Sequence, residues 1–390
     1  MIQIAIMGLG TVGTGVAKVV AENAKQIEHK LGEPLQVKTI LVRHFKDGPY
    51  RQLMTDDFKK IEEDDDIRVV VETIGGVEAA YEYTKRALMA GKHVVTANKQ
   101  LVAEHGCELL ALAKKKNVNY LFEASVGGGI PILHPLTQCM AANRIDEVYG
   151  ILNGTTNYIL TRMVRTGAFF SDALREAQAK GYAEADPSAD IDGDDIRRKL
   201  VISANIAFDA LLREEDIPMF GIRTVTDGDI KTFQSHGFAC KLLAEAAQAE
   251  GGVCAYIEPT LVAADALEAA VPANFNLITY EGENIGRQSF YGQGAGQMPT
   301  AANVVQDCLS ILEGRTGFYA QKAVPTALDG TGEAHPYYVR TAAPDEWLKQ
   351  HTADVWDNGV ITGAVNTYEM LAWAKAHLKE DPTCFIAGIR

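Results

Sequence analysis

The sequence predicts an α/β protein that opens with a doubly wound, Rossmann-type domain and continues into a second α/β domain. Three observations lead there. The short buried-strand run Ile2–Met7 passes directly into Gly8-Leu9-Gly10-Thr11-Val12-Gly13 and then into a helical pattern through Val16, Val19 and Val20. Strand-like and helix-like segments then alternate as far as about residue 142, the pattern of βα units on a parallel sheet. Beyond Asn143 the elements become longer and mixed, which marks a domain change. A chain of 390 residues, 47% apolar and 23% charged, is long enough for two or three domains with full cores.

Strand, G-x-G-x-x-G and helix in that order form the setting a dinucleotide fingerprint requires. The glycines allow a tight turn and close backbone approach, and the helix N-terminus faces a pyrophosphate. The competing reading is a glycine turn that only packs helix on strand. The next strand, Leu35–Val42, ends in Arg43-His44-Phe45-Lys46. Sites for NAD usually carry an acid here for the ribose hydroxyl, whereas an arginine accommodates a 2′-phosphate. Arg43 therefore points to NADP, with a basic surface loop as the alternative.

A third core strand at Arg68–Val71 ends in Glu72-Thr73-Ile74-Gly75-Gly76 and is followed by a helix at Ala79–Ala90. The strand His93–Thr96 runs into Ala97-Asn98-Lys99. Ligands gather at the carboxyl ends of parallel strands, so topology puts Lys99 near the cofactor. After a helix at Glu104–Lys115 and a strand at Tyr120–Glu123 comes Ala124-Ser125-Val126-Gly127-Gly128-Gly129-Ile130-Pro131. Three glycines behind a carboxylate let carbonyl oxygens crowd inward, for a cation or simply for a turn.

In the second domain a strand at Glu147–Leu152 leads into Asn153-Gly154-Thr155-Thr156-Asn157 and a helix. A helical stretch is expected at Thr232–Ala249, then strands at Val253–Leu261, Leu277–Glu281 and Gly286–Tyr291. The second glycine loop, Gly292-Gln293-Gly294-Ala295-Gly296, precedes a helix from about Thr300 to Leu312 and suggests a return to the first domain. The tail reads as a small βα module.

The chemistry concentrates between Gly181 and Lys199, where Glu184, Asp186, Asp190, Asp192, Asp194 and Asp195 crowd a loop punctuated by Pro187 and Gly193. Asp194-Asp195 open a helix, where carboxylates suit the positive dipole end. On that helix Asp195 and Lys199 share a stripe with Ile202 and Ile206, so the lysine is expected to be partly desolvated, with its pKa lowered toward proton-transfer range. A solvated surface ion pair is the plainer reading. A calcium loop is excluded, because Ser188 stands at its first position and Lys199 where a bidentate Glu is required.

A net charge of −14 with no basic run of five excludes nucleic acid and anionic membrane as expected partners. The six cysteines, without a C-x-x-C, suggest neither a zinc site nor a disulfide framework. No apolar run reaches membrane-spanning length and the chain opens directly on a strand, so cytoplasm is the expected compartment.

The first glycine motif, Ala97-Asn98-Lys99, Glu123 to Pro131, Gly150 to Tyr158 and Gly181 to Pro187, together with Asp195 and Lys199, resemble the homoserine dehydrogenase family, collinearly to about residue 320. The Asn-Gly-Thr-Thr-Asn and Glu-Ala-Asp-Pro blocks are the specific ones. The resemblance implies reversible reduction of L-aspartate 4-semialdehyde to L-homoserine. It implies Lys199 and Lys99 as the proton-handling lysines, with Glu184 and Asp195 on the amino-acid substrate. It implies NADP, with NAD as the alternative, on Gly8, Gly10, Thr11, Val12, Gly13, Arg43, Ile74, Lys99, Gly181 and Gly294. It also implies a monovalent cation, sodium or potassium, at Glu123 with carbonyls of Val126, Gly128 and Ile130, and a homodimer or homotetramer. Gln293 replaces the proline usual in the second glycine loop. The tail resembles a shortened ACT module without its Asp-x-Pro-Gly-Val turn. The expected organisation is a cofactor domain over 1–142 plus about 294–320, a substrate and dimerisation domain over 143–293 and the ACT-like module over 330–390. The rival functions are a catalytically idle NADP-binding sensor and a dehydrogenase of another small amino-acid aldehyde.

Overall fold

The structure, a computed structural model, describes residues 1–315 and 324–390; residues 316–320 of the expected cofactor domain fall outside them. The chain forms two compact units. The first holds Met1–Ala142, Asp209–Leu211 and the stretch from Gln293 through the helix Gln297–Leu312. The second holds Asn143–Phe208, Leu212–Gly292 and the chain from Pro325 to Arg390.

In the first unit, six parallel strands lie in the order β3-β2-β1-β4-β5-β6. They are β1 (Ile2–Met7), β2 (Leu35–Leu41), β3 (Met54–Thr55), β4 (Ile67–Glu72), β5 (His93–Thr96) and β6 (Tyr120–Leu121). This is the doubly wound order, and it places the switch point between β1 and β4. Near-continuous apolar strands such as Ile67–Glu72 are buried on both faces, as parallel strands between helices must be. Ile4, Ile6, Val69, Val71 and Val95 share one core with Val16 and Val20 of the helix Thr11–Glu22 and Val304 of the helix Gln297–Leu312. Those two helices meet closely at Gly15, where a Cβ would lie 2.8 Å from the Ala301 methyl.

The second unit is built on a nine-stranded sheet of order β11-β10-β7-β8-β9-β17-β13-β15-β14. Its body is β7 (Ile145–Ile151), β8 (Phe238–Ala249), β9 (Gly252–Ala263), β10 (Phe275–Gly282) and β11 (Gly286–Gln293). The tail adds β13 (Tyr337–Arg340), β14 (Thr352–Trp356), β15 (Gly359–Thr362) and β17 (Phe385–Ile389), and β12 (Ala334–His335) pairs with β16 (Val365–Asn366) as a separate ribbon. The last strand joins the body directly, with Gly388 opposite Thr260 in parallel register. Tyr337 and Tyr338 are fully buried and donate to the carboxylates of Glu258 and Asp229, at 2.8 and 2.7 Å, which ties the tail into the unit.

The helix expected over Thr232–Ala249 is corrected. Helix runs only from Asp227 to Ser235, Gly237 adopts a left-handed φ of 81°, and Phe238–Ala249 is strand β8. The run Cys240–Ala246 is buried on both faces. Its two charged residues, Lys241 and Glu245, stand four apart, a spacing that shares one face of a helix or of a strand, so the pattern does not separate a buried helix from a central strand. No helix among the described residues is long and apolar enough to cross a membrane.

Candidate active site

At the carboxyl ends of β1, β2 and β4 a cavity of about 650 Å³ is lined by Gly8, Gly10, Arg43 and Ile74 of the expected residues, and also by Leu9, Val42, His44, Lys46, Asp56, Thr73 and Tyr83. The three fingerprint glycines have separable causes. Gly8 sits at φ 95°, and a Cβ there would lie 2.7 Å from the Thr73 carbonyl oxygen. Gly13 would put a Cβ 2.1 Å from the Gly8 carbonyl oxygen, so it is required for helix-on-strand packing. A Cβ on Gly10 would meet no protein atom within 4 Å. No protein contact demands glycine there, whereas close approach of a phosphate backbone to the helix start does. Thr11 and Val12 form the first turn of that helix. Arg43 and Lys46 bring two cations to the lining against the single carboxylate of Asp56, on a chain that is acidic overall. The cavity thus fits a dinucleotide phosphate group.

Lys99 opens the helix Lys99–Lys116, whose cap is Asn98: its side chain accepts from the Leu101 N–H at 3.1 Å. Gly294 lies against the glycine-rich loop, so close that a Cβ on Gly128 would be 2.5 Å from its carbonyl oxygen.

That loop folds around Glu123, which is buried. Its carboxylate accepts N–H bonds from Ile132, Leu133 and His134 at 2.6–2.7 Å, capping the helix Leu133–Met140. Asp307 accepts from the Glu123 N–H at 2.9 Å and bonds His134 Nε2 at 2.7 Å. Burial and the neighbouring Asp307 carboxylate push the Glu123 pKa up to about 8. Val126, Gly128 and Ile130 are buried beside it, Gly127 and Gly128 turn the chain at φ 69° and 53°, and the Gly128 carbonyl accepts from Asn303 at 2.8 Å. Two buried carboxylates and hard carbonyl oxygens suit a hard cation. His134 and Asp307 are not legible from sequence alone, since Asp307 lies 184 residues from Glu123 and carries no local signal.

In the second unit the acidic stretch divides by partner. Asp192 pairs with Arg223 at 2.6 Å, Asp194 with Arg197 at 2.8 Å, and Asp186 accepts from the Ser188 N–H at 3.1 Å. Asp195 and Lys199 are both buried, 7% and 8% exposed, which sets aside the reading of a solvated surface pair. Lys199 Nζ donates to Asp195 Oδ2 at 2.8 Å and to the Leu152 carbonyl at 2.7 Å. Asn153 Nδ2 donates to the same Asp195 oxygen at 2.9 Å and to Asp190 Oδ1 at 2.7 Å. Burial raises the Asp190 pKa, and the bond from Asn153 works against that rise. Sequence reasoning places Asp190 and Asn153 in the right blocks but gives them no role. Glu184 is exposed in the same loop, where its backbone carbonyl accepts from Gln178. Gly181 turns at φ 74°, and the adjacent Tyr182 carbonyl accepts from Thr155 at 2.6 Å. A buried lysine held by a carboxylate at an acidic loop can pass a proton to or from an oxygen.

Residues 8–123 match the family model described as the NAD-binding domain of homoserine dehydrogenase, and residues 131–309 match the model described as homoserine dehydrogenase. The homoserine dehydrogenase of Bacillus subtilis is 40% identical over 317 residues, 80% of this chain and 73% of that one. That of Lactococcus lactis is 37% identical over 356 residues, 88% and 83% of the two chains. Among solved structures, the enzyme from Thiobacillus denitrificans superposes with a TM-score of 0.88 at 33% identity, covering 100% of this chain and 98% of that one. A hyperthermophilic archaeal homoserine dehydrogenase mutant in complex with NADPH superposes at 0.68 with 26% identity, covering 81% and 99%. On the fingerprint cavity, the buried Lys199–Asp195 pair and these matches, the chain belongs to the homoserine dehydrogenase family of NAD(P)-dependent oxidoreductases that act on a CH–OH group.

Proposed function

We propose that the homoserine dehydrogenase reaction, the reversible reduction of L-aspartate 4-semialdehyde to L-homoserine, runs in this chain on Lys199 and Asp195 with NADP as the preferred dinucleotide. The observation that carries the reading is the buried ion pair between them, 2.8 Å long. In oxidation Lys199 takes the proton from the substrate hydroxyl; in reduction it returns a proton to the aldehyde oxygen. Asp195 orients the Lys199 amine, and with Glu184 it engages the amino-acid substrate. Lys99 acts as a second cationic group near the reacting oxygen. The first unit serves as the cofactor domain and the second as the substrate domain. The dinucleotide, when bound, supplies or accepts the hydride.

Gly8, Gly10, Thr11, Val12 and Gly13 hold its phosphates, with Ile74, Gly181 and Gly294 as further contacts. The open space at Gly10 and the Arg43 and Lys46 side chains in the cavity lining favour that placement, as does the archaeal relative in complex with NADPH. A monovalent cation at Glu123 and the carbonyls of Val126, Gly128 and Ile130 belongs to the same reading, supported by the buried Glu123 and Asp307 carboxyls, whose ionisation burial opposes and a bound cation would favour. The test is Arg43→Ala, assayed by dinucleotide reduction with homoserine. A guanidinium gripping a 2′-phosphate through two bonds serves only NADP. KM for NADP should rise by about tenfold or more, close to 1.4 kcal/mol, while KM for NAD stays nearly constant. Equal weakening of both dinucleotides would reduce Arg43 to a generic surface charge.

A further inference from the structure

We propose that Asn153 is the positioning residue of this reaction: its side-chain amide holds the Asp190 and Asp195 carboxylates side by side and, through Asp195, aims Lys199. The proposal rests on Lys199 as the proton carrier and adds the residue that fixes its geometry. Asn153 is only 3% exposed, at the point where strand β7 gives way to the helix Gly154–Thr166. Its Oδ1 accepts from the Thr156 N–H at 2.8 Å, capping that helix. The cap bond settles which way the amide faces: with oxygen committed to a backbone donor, the NH₂ group must point the other way. There both its hydrogens are used on carboxylates, at 2.7 Å to Asp190 and 2.9 Å to Asp195.

The same strand end supplies the other restraint on the lysine, because the Leu152 carbonyl accepts from Lys199 Nζ at 2.7 Å. Two consecutive residues therefore set the position of the lysine, one through its backbone and one through Asp195. Few side chains can do this at position 153. An aspartate would keep the cap and the shape but place a third carboxylate against Asp190 and Asp195. A serine would keep the cap but is too short to reach both acids.

The two substitutions Asn153→Asp and Asn153→Ser therefore retain the helix cap and separate positioning from folding. The full chain is assayed by NADP reduction with homoserine over a pH range, beside thermal melts and direct NADPH titration. Both variants should unfold cooperatively, at a temperature lowered by the altered contacts to the buried acids, and bind NADPH normally, while kcat falls about 10–100-fold, the cost of a misplaced catalytic group. In Asn153→Asp alone, the pH limb reporting the lysine–carboxylate pair should move to higher pH, because an added negative charge favours the protonated neighbours. Parental kcat in either folded variant overturns the proposal. So do equal losses with an unmoved pH limb in Asn153→Asp, which would make Asn153 a packing residue. Lys199→Ala in the same assay separates the two claims. If it retains turnover, the proton-carrier assignment fails first; if it is inactive while the Asn153 variants are not, only the present inference fails.

Discussion

Gly10→Ala isolates the cofactor site from the fold that carries it. A Cβ at this position would meet no protein atom within 4 Å, and φ −82° with ψ −157° is accessible to any L residue. Loss of glycine's unfolded-state freedom stabilises by about 0.4–1 kcal/mol. Gly10 is also the N-cap of the helix Thr11–Glu22, and alanine is a poorer cap by a fraction of about 1 kcal/mol. The two nearly cancel, so the melting temperature should move by no more than about 3 °C. Gly13→Ala is the control, because its Cβ would stand 2.1 Å from the Gly8 carbonyl oxygen and 2.7 Å from Thr73 Oγ1. Relief requires backbone movement, and overpacking of that kind costs about 1–3 kcal/mol. If a dinucleotide phosphate approaches the open side of Gly10, the new methyl displaces it, and the NADPH dissociation constant should rise at least about tenfold. Fluorescence titration of NADPH and parallel melts read both quantities. Parental affinity in a well-folded Gly10→Ala would refute the reasoning, since the cofactor would then pass elsewhere.

Two further outcomes follow from buried groups the reaction does not use. Lys241 is 4% exposed and donates to oxygens of Asn157 and Val271, and burial lowers its pKa from 10.5 to about 8. Between those values the unfolded chain binds the proton and the folded chain does not, so the penalty for burying Lys241 shrinks as pH rises. Below about 8 it imposes its full penalty, about 3 kcal/mol. Lys241→Met also leaves the Asn157 and Val271 oxygens without their donor, so the check is the change with pH: its stability relative to the parent should fall by about 3 kcal/mol between neutral pH and about pH 10 in denaturant melts; a pH-independent difference would show the ammonium is not desolvated. In the tail, Asp381 accepts from the Ala342 N–H at 2.6 Å and Thr341 Oγ1 accepts from the Ala343 N–H at 3.1 Å, so this turn spends its donors internally. Threonine should not inhibit in the sub-millimolar range; strong inhibition abolished by removing residues beyond 330 would contradict this.

The parts of the site written in contiguous sequence are readable from the chain itself. Gly8 to Gly13 declare the turn because strand, glycines and helix follow one another along the chain. Asp195 and Lys199 declare their shared face because a helix repeats every 3.6 residues. The rest depends on distant segments. Asp307 reaches Glu123 across 184 residues, and Asn153 reaches Asp195 across 42. Strand β8 escapes for a different reason: it is buried on both faces, and its charged pair Lys241 and Glu245, four residues apart, would share a face in a helix or a strand alike. The tail reads as βα from its sequence, but its partner does not show, because register opposite β9 is decided by packing within the second unit.

Lys199 as the group that carries the proton is the point on which the mechanism depends most. Homoserine oxidation by Lys199→Ala, measured as NADPH formation at saturating substrates and set beside direct NADPH titration, tests it most directly. General acid–base help is worth about 10²–10⁴-fold, so kcat should fall within that range while NADPH affinity is unchanged. A kcat near the parent value would remove Lys199 from the mechanism and the buried Lys199–Asp195 pair from its centre.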